Sequence, residues 1–431
     1  MPMTQTDRYD NALSTQSDDA RQSYVAGVDG VLGATYGTVQ AFERAVLVDP
    51  GFALGHVGLA RAHMMSGDMA AARIALRQAE TLRGGLSERE LAHIDLFGLL
   101  LSGQASQCRA AVREHVLSYP RDAMVAQLCT NVFGLIGFSG HAGREAELLA
   151  FTNALLPHYG RDWWMMSMHA LSLCETGQIN AATELMDQAL DLNPVNANGS
   201  HFKAHALYEA GQTQTGMSYL ADWLVGYDAR AVLHGHLSWH LALWALQTGD
   251  TERMWQIIDD AVAPGAAQGL PINVLTDTAS ILYRAELAGV DVPDERWRQI
   301  SAYAGRFFSE TGQSFADIHA ALAHAMAGDA DRLAHVIATA KGPVRDLVEP
   351  VARGWHAIAE QDWQRALNDL TPVMASHERL GGSRAQRDLL ELAYLNILLK
   401  LGHTDEARRL VRSRRPVLTA QAPVAGLDQG I

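Results

Sequence analysis

The 431-residue chain predicts an all-α protein, a right-handed α-solenoid of about eleven repeated helix pairs. Three observations carry that expectation. Hydrophobic residues make up 48% of the chain and aromatic residues only 7%, with abundant Ala, a balance that favours closely packed helices over strands rich in β-branched and aromatic residues. A short phrase also recurs: a helical stretch, a turn with Gly and a polar residue, then Ala, a large apolar residue and Ala at helical spacing. Finally, the turn positions Gly33, Gly67, Gly103, Gly143, Gly177, Gly211, Gly249, Gly289, Gly328, Gln361 and Gly402 follow one another at intervals averaging about 37 residues.

Taken in order, residues 1–20 are polar and turn-rich and are expected to fray, with the first helix beginning near RQSYVAGVDGVLG. The clearest repeat runs from Trp163 to Pro194. Its Ala170, Gly177, Ala182, Met186, Ala189 and Pro194 fall where a tetratricopeptide repeat places its small residue, turn, second-helix Ala, large apolar residue, Ala and terminating Pro. Small residues let two antiparallel helices approach while larger ones fill the gap to the next pair. Copies near Gly289 and Gln361 fit this consensus poorly, and helices are expected there all the same. Residues 21–415 then form a single solenoid, long enough to wind into a closed superhelix. Arg408, Arg409, Arg412, Arg414 and Arg415 close its last helix, where cations suit the macrodipole, and 416–431 have the composition of a tail.

Charge and composition exclude several roles. The formal net charge is −14, against the basic surface that nucleic acid demands, so no nucleic-acid partner is expected. No apolar run reaches the 18 or so residues of a membrane span, and the polar N-terminus lacks the apolar core of a secretory signal. Cys108, Cys129 and Cys174 show no metal-ligand spacing. A cytoplasmic protein with reduced thiols is the expectation.

In the tetratricopeptide frame, the first helix of each pair lines the concave surface. This puts Trp164, Ser167, Leu171, Cys174 and Glu175 on the inner face of one repeat, Asn198, His201, His205, Tyr208 and Glu209 on the next, and His236, Trp239 and Leu243 on the third, with His240 beside that face. Two successive helices each carry His-x-x-x-His, in HFKAH and HLSWH. Residues four apart stack on one helical face, so His201, His205, His236 and His240 can converge on one spot. Such a set can bind a divalent transition metal or serve in acid/base catalysis. Glu209 or Glu175 could complete or orient it. The motif is weak without the glutamate of HExxH, and the bland alternative is that these rings pack between helices or are solvated. A nucleophilic variant would use Cys174 with a histidine as base.

Two further segments stand out. In FADIHAALAHAMAG, Asp317 and His319 are two apart and diverge; His319 is a candidate for the interior, and His324 reads as a core histidine. GGSRAQRD, Gly381 to Asp388, opens the last repeat. Ser383 reads as a helix N-cap, while Arg384, Gln386, Arg387 and Asp388, crowded into one turn beside exposed amides, suggest a ligand edge for a carboxylate or phosphate.

The long array together with HFKAH, HLSWH, FADIH and GGSRAQRDLLE resembles the tetratricopeptide repeat protein thirty-eight family over about residues 20–410. The resemblance implies an all-helical solenoid with a polar, histidine-bearing interior, and it points to His201, His205, His236, Trp239, His240, Asp317, His319, Gly381, Gly382, Ser383, Gln386, Arg387 and Asp388. It supplies no reaction, and no Walker, Rossmann, nucleophile-elbow or HExxH pattern does so. Two readings stand. In one, the interior binds a small polar or anionic molecule, with Trp239 and Tyr208 as walls and a hydrolase- or lyase-type activity on the histidines. In the other, the groove is a non-catalytic scaffold for a peptide or partner helix. The sequence leaves open whether the protein is an enzyme, and its oligomeric state.

Overall fold

The computed structural model describes residues 5–414 and 424–425, so most of the expected tail lies outside the described residues. The fold is an all-α helical-repeat solenoid, with 22 α-helices among the described residues. In order these are α1 (Asp18–Gly33), α2 (Thr38–Val48), α3 (Ala53–Met65), α4 (Met69–Thr81), α5 (Glu88–Leu101), α6 (Ala105–Ser118), α7 (Ala123–Ala126), α8 (Arg144–Tyr159), α9 (Trp163–Glu175), α10 (Ile179–Leu192) and α11 (Ala197–Glu209). There follow α12 (Thr213–Leu224), α13 (His234–Gln247), α14 (Thr251–Ile257), α15 (Pro271–Leu287), α16 (Asp294–Phe307), α17 (Ser314–Met326), α18 (Ala330–Thr339), α19 (Arg345–Ala359), α20 (Trp363–Leu370), α21 (Arg384–Lys400) and α22 (Thr404–Arg414). The chain divides into two compact units, one of residues 1–139, 145–203 and 230–233, the other of 140–144, 204–229 and 234–431. The division falls inside α11, a continuous helix.

Within pairs, the same turn recurs. Gly67, Gly249 and Gly328 take φ of +82°, +76° and +70°, a left-handed conformation that glycine adopts without steric cost. The next residue, Asp68, Asp250 or Asp329, accepts a hydrogen bond from the backbone N–H three positions on and so caps the second helix, a contribution of about 1 kcal/mol each. Gln361 stands in the glycine position at φ +57°, followed by the cap Asp362. In the first pair, the left-handed residue is Ala34, one place beyond Gly33.

The first unit departs from the expectation at two places. Residues 5–13 are not frayed: Gln5–Thr6 pairs antiparallel with Ala12–Leu13, Tyr9 is buried, and Arg8 pairs with Asp29 and Asp162. Arg89 donates to the Ala12 carbonyl and pairs with Asp122. The polar composition that suggested a loose end supplies these long-range bonds. The α-helix expected before Gly143 ends at Ala126; a 3-10 turn follows over Gln127–Cys129, and the chain then runs without regular helix to residue 139. Gly134 and Gly137 explain this, because a Cβ there would lie 2.7 Å from the Leu128 carbonyl oxygen and 1.9 Å from that of Val132.

Small residues set helix spacing elsewhere. A Cβ on Gly58 of α3 would sit 2.1 Å from the buried Phe42 ring of α2, and one on Gly216 of α12 would sit 2.4 Å from Trp244 of α13. In helices, Gly→Ala gains up to about 1 kcal/mol of propensity, whereas overpacking a filled core costs about 1–3 kcal/mol. Gly58→Ala is therefore expected to lower unfolding stability by about 1–2 kcal/mol. Gly98→Ala, in α5 with nothing within 4 Å of its Cβ position, is expected to raise it by up to about 1 kcal/mol. Urea unfolding of both variants reads the signs, and two changes of the same sign would refute this account.

Candidate metal centre

Helix α11 stacks His201 over His205, and α13 stacks His236 over His240, one turn apart in each case. All four rings are buried. They offer one nitrogen each, and those nitrogens lie within 4.8 Å of one another. Tetrahedral ligands at about 2.1 Å from a metal stand about 3.4 Å apart, so at its widest the set is roughly 1.4 Å looser than a closed coordination shell.

The ring of His236 is held from two sides. Its Nδ1 donates to Asp277 Oδ2 at 2.8 Å, which directs the Nε2 lone pair toward the cluster, the orienting role a carboxylate plays behind a metal-bound histidine. Trp239 stacks on it at 5.3 Å between centroids and 13° between planes, and its Nε1 donates to Ser280 Oγ at 3.1 Å. Trp239 is itself fully buried, a packing and positioning residue for the imidazoles. Burial, with His236 adding to it, depresses His205 to about 3. His240 is held well below the ordinary imidazole range by burial, His205, His236 and Arg284. Both rings are therefore neutral at physiological pH, the form that coordinates metal. Burial pushes the Asp277 carboxyl up, and His236 opposes it.

Asp277, Ser280 and Arg284 all come from α15 and were not singled out from sequence. They lie at i, i+3 and i+7, one face of a helix, and a signal was present: Asp277, Ser280 and Arg284 at that spacing within INVLTDTASILYRAEL. Arg284 has no exposed surface. Its Nη2 donates to the Ala385 carbonyl at 2.7 Å, and the Tyr208 hydroxyl offsets part of its desolvation. Its Nε and Nη1 have no hydrogen-bond partner among the described residues.

The FADIH residues separate as their spacing requires. Asp317 accepts from the Gly312 backbone N–H at 2.9 Å, fixing the turn before α17. His319 donates from Nδ1 to the Phe315 carbonyl at 2.7 Å, and burial, against that bond and with Arg284 adding to it, depresses it to about 4. Its Nε2 is buried without a partner among the described residues. His324 is a core histidine, hydrogen-bonded to Ser301.

GGSRAQRD is built as a cap. Ser383 and Gln386 form a reciprocal capping box at the start of α21. A Cβ on Gly382, at φ +76°, would meet the Phe315 ring at 2.5 Å. Arg384 pairs with Glu209 at 3.0 Å, Arg387 donates to the Gly382 carbonyl at 2.9 Å, and Asp388 accepts from Tyr208 at 2.9 Å. Glu209 thus serves Arg384, and Asp277 takes the carboxylate role expected of Glu209 or Glu175 behind the histidines. Glu175 and Cys174 are buried on α9 in the first unit.

No family model matches the chain. Among solved structures it is similar to a human IFIT1 dimer with m7Gppp-AAAA (13% identity, 95% of this chain and 96% of that chain, TM-score 0.45). It is also similar to yeast Tom70 (13%, 94% and 86%, TM-score 0.34) and to the P58(IPK) TPR domain (14%, 92% and 99%, TM-score 0.22). Among the described residues, no helix is long and apolar enough to cross a membrane.

Burial holds His324 at about 4, below its ordinary value near 6.5. A depressed histidine contributes stability that is complete above the unfolded value and lost as pH falls from about 6.5 toward 4. His324→Gln is expected to flatten the fall in unfolding free energy over that window by up to about 1.4 kcal/mol per pH unit. Denaturant titrations at several pH values test this, and parallel slopes for parent and variant would refute it.

Proposed function

We propose that this protein binds a divalent transition-metal ion on His201, His205, His236 and His240 and uses it to hold a small polar or anionic ligand. The observation that carries the reading is the convergence of four buried imidazoles, one of them braced by Asp277. A bound ion would supply Lewis-acid polarisation, the chemistry of hydrolase- and lyase-type reactions. The protein's own part is to orient the ligand set through Asp277 and Trp239. A peptide-binding scaffold is less well supported, since side chains that read a peptide in a groove have to be reachable, and these four are buried. The reading is in keeping with the polar, histidine-bearing interior implied by resemblance to the tetratricopeptide repeat protein thirty-eight family.

Untagged protein stripped with EDTA and titrated with Co(II) or Zn(II) tests the proposal. About one ion per chain is expected, with His201→Ala and His236→Ala losing the site and Asp277→Asn weakening it roughly 10- to 100-fold. Protein that takes up no ion, or variants that bind as tightly as the parent, would overturn it.

A further inference from the structure

We propose that Arg284 and His319 form an anion subsite beside the histidine cluster, which holds the carboxylate of a small organic acid carrying a hydroxyl or amino group. The proposal rests on the reading of the cluster as a ligand site and names the class of ligand.

Three observations lead to it. Arg284 is completely buried and makes no ion pair among the described residues, although a buried cation left uncompensated is strongly unfavourable. Its carbonyl bond to Ala385 uses Nη2, leaving donors at Nε and Nη1 unmet. The second observation is an unmet acceptor. With Nδ1 donating to Phe315, His319 presents Nε2 as a lone pair, also buried and unmet. The two groups meet where α21 begins against α17: Arg284 bonds the Ala385 carbonyl, Gly382 three residues earlier abuts the Phe315 ring, and that ring lies 4.6 Å from the His319 ring between centroids, yet neither unmet group satisfies the other.

A ligand that accepts at one atom and donates at the next would satisfy both. A carboxylate receives the guanidinium N–H groups in charge-assisted bonds, and an adjacent O–H or N–H donates to His319 Nε2. The third observation sets the direction of the rest of the molecule. Ser280, one turn before Arg284 on α15, accepts from Trp239 Nε1, and the Trp239 ring lies 4.9 Å from that of His240 between centroids, so a ligand anchored on Arg284 lies beside the imidazole cluster. The single unpaired cation favours a monoanion over phosphate. The arginines of GGSRAQRD are engaged with Glu209 and the Gly382 carbonyl, which leaves Arg284 as the cation that fits this role.

Glycolate is the probe, with ethylene glycol as its uncharged analogue and inorganic phosphate as the competing anion. Binding is read as a shift in Tm and by calorimetry on the full chain, with and without Co(II). Glycolate is expected to bind with Kd on the order of a millimolar, ethylene glycol not detectably and phosphate more weakly. Arg284→Met should weaken glycolate roughly 10- to 100-fold. Without anion, its Tm should equal or exceed the parent's, because the change removes an uncompensated buried charge; a purely structural arginine would instead lower it. His319→Phe provides the second variant, with glycolate weakened and metal uptake kept.

Glycolate binding that is unchanged in Arg284→Met, or absent from parent and variant alike, overturns the proposal and leaves bound water as the partner of Arg284. Phosphate binding more tightly than glycolate overturns the carboxylate assignment. Metal stoichiometry measured on the same samples separates the two readings. One ion per chain without Arg284-dependent glycolate binding sinks the subsite alone, and Arg284-dependent binding in protein that takes up no ion sinks the metal reading alone.

Discussion

Gly216 of α12 leaves no room for a Cβ beneath the Trp244 ring of α13, and the direction of the α13 histidines depends on that contact. Helices packed through side chains on both sides stand about 8–10 Å apart, and omitting a Cβ at the crossing brings one to the short end of that range. Trp244 is buried against α12, which fixes both the rotation and the height of α13. Because His236, Trp239 and His240 precede Trp244 on the same helix, their directions are fixed with it. The site is therefore held by rigid elements and does not rely on loops, a requirement for placing several ligand atoms to within a fraction of an ångström.

Burying this many polar groups is costly, and the structure shows how the cost is limited. The imidazoles lose their charge: burial depresses His205 to about 3 and His319 to about 4, so neither carries a proton that would need a counterion. Asp277 is used by His236. Glu209 is answered by Arg384, and Asp388 by Tyr208. Arg284 stands apart because guanidinium cannot escape its charge at any physiological pH, and its remedies here are one carbonyl and one phenol. A buried histidine can be neutral and inert, whereas a buried arginine requires a partner.

Much of the fold was legible because its signals are local. A left-handed turn residue followed by an Asp cap is written in adjacent letters, and it holds at Gly67, Gly249 and Gly328. The histidine pairs were legible for the same reason, since i and i+4 must share a helical face. The stretch from 127 to 143 escaped because a turn glycine at Gly143 was read as the end of a helix that Gly134 and Gly137 do not support. The N-terminal hairpin escaped because its bonds, from Arg89 to the Ala12 carbonyl, from Asn11 to the Arg121 carbonyl and from the Arg121 guanidinium to Asp10, cross long stretches of sequence.

Asp277, Ser280 and Arg284 escaped for a subtler reason. With the turn glycine counted as fifteenth, the tetratricopeptide frame puts the inner face at the second, fifth, ninth, twelfth and thirteenth places. On the α15 repeat these three occupy the third, sixth and tenth. His240 and His319 also fall on the sixth. One residue turns a helix by about 100°, so groups at these places fall beside the face that the tetratricopeptide frame assigns. The loop before α15 is long, running from Ala263 to Leu270, and it frees that helix to seat itself by its own packing and not by the consensus. The buried polar face of α15, Asp277, Ser280 and Arg284, follows helical spacing whatever frame is applied, and in a repeat protein such spacing is a better guide to a site than position within the repeat.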